Sequence, residues 1–237
     1  MRKIVLSGVF LLLCLAGIGQ KTEVLVVTGG HDFDRQAFAG LFDSLEQIVW
    51  EELVQPKANQ LMLETGFEQY DVLAFYDMFQ EISNDEQAAF LKLLEQGKPM
   101  LFLHHALVSY QEWDEFQNIV GGRYYDQERY KNTPENGFST YLHDTNIPVR
   151  LLAPEHPVTS GLKDFTLFDE VYGNTWVSPD VTPLLGTNHR ESSPIIGWEH
   201  TYGASKVIYL QPGHGKSSYE NPNYRRLLQN ALLYLSK

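Results

Sequence analysis

The chain has 237 residues, enough for one large α/β domain and short for two, and carries 30 acidic against 18 basic residues. That balance excludes a phosphate backbone or an anionic lipid surface as partner, since such binding depends on clustered Lys and Arg. No stretch after residue 20 is long and apolar enough to span a membrane.

The opening MRKIVLSGVFLLLCLAGIGQ combines Arg2 and Lys3, an apolar run from Ile4 to Ala16, and small Gly17 and Gly19 where a signal peptidase needs them. It reads as a secretory signal over residues 1–20, cut before Gln20 or Lys21, with the mature chain at 21–237 and a periplasmic or extracellular location. Leu13 before Cys14 does not suit lipidation. Cleavage removes the only cysteine, and with it any disulfide, thiolate nucleophile or cysteine-bound metal. It also leaves 16 basic residues against 30 acidic ones, a formal charge of −14.

EVLVVTG, Glu23 to Gly29, is a valine-rich run ending in Gly29-Gly30, as expected of a central parallel strand followed by a tight turn. A helix follows over Gln36 to Leu45. A strand is expected at Ile48 to Val54, a short helix from Lys57 to Glu64, and a third strand in DVLAFYD, Asp71 to Asp77. Ser83 with Glu86 forms a capping-box pattern that starts a helix ending at Gly97, and PMLFLHH gives the fourth strand. This alternation predicts a doubly wound, mostly parallel sheet. GGRYYDQERYKNTPENG then predicts a long loop over one end of the sheet. Shorter strands are expected at Pro148 to Leu152, Phe165 to Tyr172, Thr182 to Gly186, Pro194 to Trp198 and Lys206 to Gln211, before a closing helix at Tyr224 to Leu235 with an apolar stripe.

Histidines collect at strand ends. His31 follows the first strand, His104 and His105 the fourth, and His214 follows KVIYLQ in PGHG. The carboxyl ends of parallel strands share one edge, which is where open α/β sheets bind ligands, so these rings are expected to converge. Of the adjacent pair, His105 is expected at the turn itself, with His104 supporting it. Imidazoles beside a carboxylate suit zinc or another divalent ion, and His31, His105 and His214 form the candidate ligand set. No HExxH spacing is present. Equally, an imidazole near its ordinary pKa of about 6.5 moves protons at neutral pH, with Asp32, Asp169 or Glu170 raising its basicity. Tyr172, Trp113 and Trp198 belong to an aromatic set suited to sugar rings. There is no GxGxxG, no GxxxxGK[ST] and no GxSxG, which leaves nucleotide binding and Ser-His-Asp catalysis without support.

TGGHDFDRQAF, FLHHALVSYQEWDEFQNIVGGRYY, HPVTSGLKDFTLFDEVYGN, SPIIGWEHTYGASKVIYLQPGHG and NPNYRRLLQNALLYL, in that order from about Glu23 to Leu235, resemble the ThuA-like (trehalose utilisation) family. The resemblance implies a flavodoxin-like, class I glutamine amidotransferase-like three-layer sandwich. It also implies that His105 or His104 stands where such amidotransferases carry a cysteine nucleophile, and that His214 takes the place of their triad histidine. A glutaminase is thereby excluded. The segment YYDQERYKN departs from the family pattern in lacking a His-Pro.

The resulting expectation is a carbohydrate-active isomerase, hydrolase or lyase acting on a disaccharide or keto-sugar derivative. His105, His214 and Glu170 are its catalytic candidates; His31, Asp32, His104, Trp113, Tyr172 and Trp198 are its substrate-binding candidates. The competing expectations are a non-catalytic sugar-binding module and a metal-dependent hydrolase of a non-sugar substrate. The expected partner is a small sugar rather than nucleic acid or membrane, and self-association into a homodimer is left open.

Overall fold

A computed structural model describes residues 21–64 and 66–237; the secretory signal expected over residues 1–20, with Cys14, lies outside the described residues. The chain alternates strand and helix to its midpoint: β1 (Thr22–Gly29), α1 (Arg35–Asp43), β2 (Ile48–Val54), α2 (Lys57–Met62), β3 (Val72–Asp77), α3 (Asn84–Glu95) and β4 (Met100–Leu103). A 3-10 turn at His104–Val108 and α4 (Glu115–Val120) follow. The second half runs through β5 (Gly122–Arg123), β6 (Thr140–Leu151), β7 (Phe165–Gly173), β8 (Trp176–Val177), β9 (Thr182–Gly186), β10 (Ile195–Tyr202) and β11 (Ser205–Leu210), then α5 (Lys216–Tyr219) and α6 (Pro222–Leu235).

Nine strands form one sheet in the order β2-β1-β3-β4-β11-β10-β9-β6-β7. The first five are parallel, as the alternating apolar runs require; from β11 to β7 every pairing is antiparallel. The parallel core therefore matches expectation, while the other half of the sheet is an antiparallel extension. β6 also begins at Thr140, eight residues before the expected Pro148, because its exposed first half has no apolar alternation to announce it.

Side-chain alternation makes the sheet the middle of three layers. Val24, Val26, Ala74 and Leu103 pack with Phe38, Leu41 and the Leu227, Leu228, Ala231, Leu232 stripe of α6. Leu25, Val27, Phe75 and Phe102 face the opposite way, onto Ala58, Phe90, Leu94 and Phe116. α3 starts where expected: the Ser83 side chain caps Glu86 N–H, and the Glu86 carboxylate accepts from Ser83 N–H at 2.7 Å. Among the described residues no helix is long and apolar enough to cross a membrane.

Among the described residues, five of the six non-glycine positions with positive φ lie near one end of the sheet: Phe79, His104, Tyr110, Asp144 and Asn174. Such backbone costs energy and collects where a site must be held in one shape.

Candidate active site

The parallel strands deliver their histidines to one edge, as expected. At the end of β1, Gly30 has φ +76°, and a Cβ there would stand 1.8 Å from the Met78 carbonyl, so only glycine lets the chain turn here and present His31. At the end of β4 the chain turns at His104, whose φ is +47°. His104, rather than the expected His105, is thus the elbow residue. After β11, Gly213 (φ +125°) precedes His214, and a Cβ on it would meet the Tyr224 hydroxyl at 2.2 Å.

β7 brings the carboxylate. Adjacent strand residues point to opposite faces, which separates the roles of Asp169 and Glu170. Asp169 accepts from Gly213 N–H at 2.7 Å and His214 N–H at 3.0 Å, fixing the turn that carries His214. Glu170 points into the cleft, where its Oε2 lies 2.8 Å from His104 Nε2 and 3.0 Å from His214 Nδ1. The two imidazole nitrogens are 3.1 Å apart, and the Tyr172 hydroxyl is 3.0 Å from His104 Nε2.

The proton count at this group is constrained. His104 Nδ1 lies 2.6 Å from the Gln211 carbonyl oxygen, which can only accept, so Nδ1 carries the hydrogen. In the neutral ring Nε2 is then a lone pair facing a carboxylate oxygen, which is repulsive. A second proton on His104, or a cation shared by the three groups, removes the conflict. His104, Glu170 and His214 offer one ligand atom each within 4.8 Å of one another. A histidine whose second nitrogen donates to a backbone carbonyl, beside another imidazole and a carboxylate, is a donor set suited to zinc or a similar divalent ion. The residues therefore fit a metal, but through His104 and Glu170; of the expected set His31, His105 and His214, only His214 belongs.

Electrostatics follow the same contacts. Burial would raise Glu170, but hydrogen bonds from His104 and His214 hold its carboxyl well below the usual carboxylate range. Burial opposes charge on His214, yet the hydrogen bond and charge of Glu170 prevail and raise its pKa above the ordinary 6.5. Glu170 is thus a fixed negative charge and a poor proton acceptor, and His214 is the more basic member.

His105 is fully buried, with its ring centroid 4.3 Å from that of Tyr76 and 4.7 Å from that of His31. Burial, then the neighbouring histidines, depress its pKa well below ordinary and that of His31 less strongly. Neither His105 nitrogen makes a well-formed hydrogen bond to the protein, nor does His31 Nδ1.

A fifth ring was missed in the sequence. A bulge in β6 between Leu142 and Thr145, with Asp144 at φ +53°, turns His143 toward the site. Its Nδ1 lies 3.4 Å from Glu170 Oε1 and its ring centroid 4.8 Å from that of His214. The signal available was only a histidine in a polar stretch, because the bulge depends on pairing with β7.

Above these groups opens a cleft of about 980 Å³ lined by His31, His105, His143, Glu170, Tyr172 and His214, with Tyr124, Tyr141 and Arg129 among its walls. The expected loop after Gly122 supplies one side. Asp32 is exposed and outside the lining; Trp113 lines a neighbouring depression that shares Phe79, Glu128 and Arg129 with the cleft. Trp198 is a core residue, its indole N–H donating to the Val120 carbonyl at 2.8 Å. Trp198 fills volume between the sheet and α4, and Trp113 packs against Phe90, Tyr110 and Phe116, the usual fate of large aromatics.

Among solved structures, the fold is similar to a ThuA-like protein from Parabacteroides merdae (TM-score 0.75, 14% identity, 92% of this chain and 90% of that chain covered). It is similar also to a ThuA-like protein from Bacteroides uniformis (TM-score 0.68, 19% identity, 90% and 91% covered). A glutamine amidotransferase from Thermotoga maritima shares the architecture more distantly (TM-score 0.54, 13% identity, 91% and 98% covered). No curated protein sequence matches the chain. Residues 23–235 match the family described as ThuA, trehalose utilisation. The chain belongs to the ThuA family.

Proposed function

We propose that this protein is an enzyme that transfers protons on a disaccharide or keto-sugar derivative and works outside the cytoplasm, in keeping with the export signal read over residues 1–20. The observation that carries the reading is the Glu170–His104–His214 group at the base of a cleft of about 980 Å³, a volume that accommodates two sugar rings. The trehalose link of the family supports the substrate class.

A keto group acidifies the neighbouring C–H bonds, so isomerisation and elimination both begin with removal of a proton. A divalent ion held by His104, Glu170 and His214 would supply Lewis-acid polarisation of a sugar oxygen. The Gln211 carbonyl fixes the His104 ring, and the Asp169 carboxylate fixes the backbone of His214. Tyr172, stacked on His104 at 4.8 Å between centroids, places its hydroxyl beside the group as a donor to developing negative charge. His143, half-exposed at the rim, is placed to pass protons between cleft and solvent.

A second reading keeps the same residues without an ion: Glu170 against His214 Nδ1 at 3.0 Å is a carboxylate–imidazole couple able to serve as general base. The test assays the purified protein on a 3-keto-disaccharide and on its parent disaccharide, alongside folded His214→Ala and Glu170→Gln variants. Product from the wild type and its loss in both variants is expected. Sugar binding with no product would leave a binding module; activity confined to generic esters or amides would point to a non-sugar hydrolase.

A further inference from the structure

Beside the Glu170–His104–His214 group stands a pair of rings that the fold leaves chemically unfinished. His105 is 1% exposed, and neither of its nitrogens makes a well-formed hydrogen bond to the protein, the Asp77 backbone being the one group close enough to act on the ring; His31 Nδ1 is likewise buried without a partner. Folded proteins pair nearly all buried polar atoms, because each orphan carries its full desolvation penalty. Three orphans on two touching rings, both lining the cleft, call for an occupant.

The surroundings restrict what that occupant is. The pair flanks the metal-type group: His105 lies 5.2 Å from His104, and His31 lies 5.4 Å from His214, between centroids. His31 and His105 do not belong to the set whose ligand atoms converge, which disfavours a second ion. The lining holds Asp126, Glu128 and Glu170 against one arginine, Arg129. That guanidinium lies 3.3 Å from Asp126 and 3.6 Å from Glu128, and it covers the Phe79 ring at 3.7 Å. A phosphate or carboxylate group would enter a negative cleft whose one arginine is already committed, whereas an uncharged oxygen can both donate to and accept from imidazole.

We infer that His31 and His105 form a hydrogen-bonding subsite for an uncharged oxygen of the ligand, a sugar carbonyl or hydroxyl, and that the cleft selects uncharged over phosphorylated sugars. This rests on the reading of the cleft as a sugar site and specifies the charge class of that sugar.

His105→Phe separates the roles of the ring. Phenylalanine keeps the packing against Tyr76 and His31 while deleting both nitrogens, so a purely structural His105 would be replaced without harm to binding. Calorimetric titration of the protein as purified with trehalose and with trehalose 6-phosphate should show at least ten-fold preference for the uncharged sugar. His105→Phe should weaken trehalose binding ten-fold or more while its Tm stays equal or rises. Unchanged affinity in this variant, or equal affinity for the phosphorylated sugar, overturns the inference. Should the wild type bind neither disaccharide, the sugar reading fails on its own, and dihydroxyacetone, a minimal uncharged hydroxyketone, then tests the subsite by ring-nitrogen NMR. Shifts at His31 and His105, with none at the remote His156 and His200, would sustain it; no shift would overturn it.

Discussion

Asp77 closes β3 one strand away from the histidine elbow, 1% exposed, with the Gln55 amide donating to its Oδ2 at 2.9 Å and the Ser109 hydroxyl and its own backbone N–H adding support. Burial outweighs those bonds and pushes its carboxyl from the ordinary 3.8 up to about 7. A raised acid gives stability that is complete below the unfolded pKa and is lost as pH rises through the folded one, because between the two the folded state holds a proton that the unfolded state has released. Three pH units correspond to about 4 kcal/mol in full, of which about 2.5 kcal/mol is lost between pH 5 and pH 8. Asp77→Asn imitates the protonated acid, keeps an oxygen for Gln55 and cannot ionise. Urea unfolding of both proteins at pH 5, 6, 7 and 8 isolates this group, since other titrations cancel in the difference. The variant should gain about 2.5 kcal/mol relative to wild type across that range, equivalent to roughly 5–10 °C in Tm for a domain of this size. A difference that does not change with pH would refute the assignment of a buried, proton-holding Asp77.

In chelator-treated, metal-free protein Glu170→Gln removes the charge that raises His214, so the His214 pKa read by NMR should fall, and the untreated variant should lose turnover. Gly213→Ala puts a methyl group against the Tyr224 hydroxyl and forces a left-handed φ on alanine; a loss of about 2–4 kcal/mol of stability is expected by urea unfolding, together with a drop in activity as the His214 turn moves. His143→Ala leaves the His104–Glu170–His214 contacts in place, so it should fold normally and lose activity that added imidazole partly restores; activity equal to wild type would remove the proton-passing role.

The parallel half of the fold was open to reading because each central strand is buried on both faces and so appears as an unbroken apolar run, as in EVLVVTG and PMLFLH. Helix limits were equally plain where chemistry marks them, as at Ser83 with Glu86. The antiparallel half was less open: TYLHDTNIP, at the start of β6, is mostly exposed and shows no alternation, so the bulge that turns His143 inward had no local mark. The convergence of His31, His104, His105 and His214 could be argued from strand ends alone. Which of His104 and His105 takes the positive φ could not, since the Gln211 carbonyl and Glu170, both distant in sequence, fix that ring. Trp198 and Trp113 read as sugar platforms in a linear sequence; packing against α4 and Tyr110 fills them into the core instead. The match of residues 23–235 to the ThuA family agrees with the order of the five stretches quoted above.

On the proposed reading His104, Glu170 and His214, and not His31 and His105, hold a divalent ion at the base of a sugar cleft. Elemental analysis of the tag-free protein, purified without chelator, addresses it directly when run beside His104→Ala, His214→Ala and His105→Phe. About one zinc or similar ion per chain in the wild type and in His105→Phe, lost from the two alanine variants, is the expected result. A metal-free wild type, or an ion that survives His104→Ala but leaves with His105→Phe, would contradict the claim.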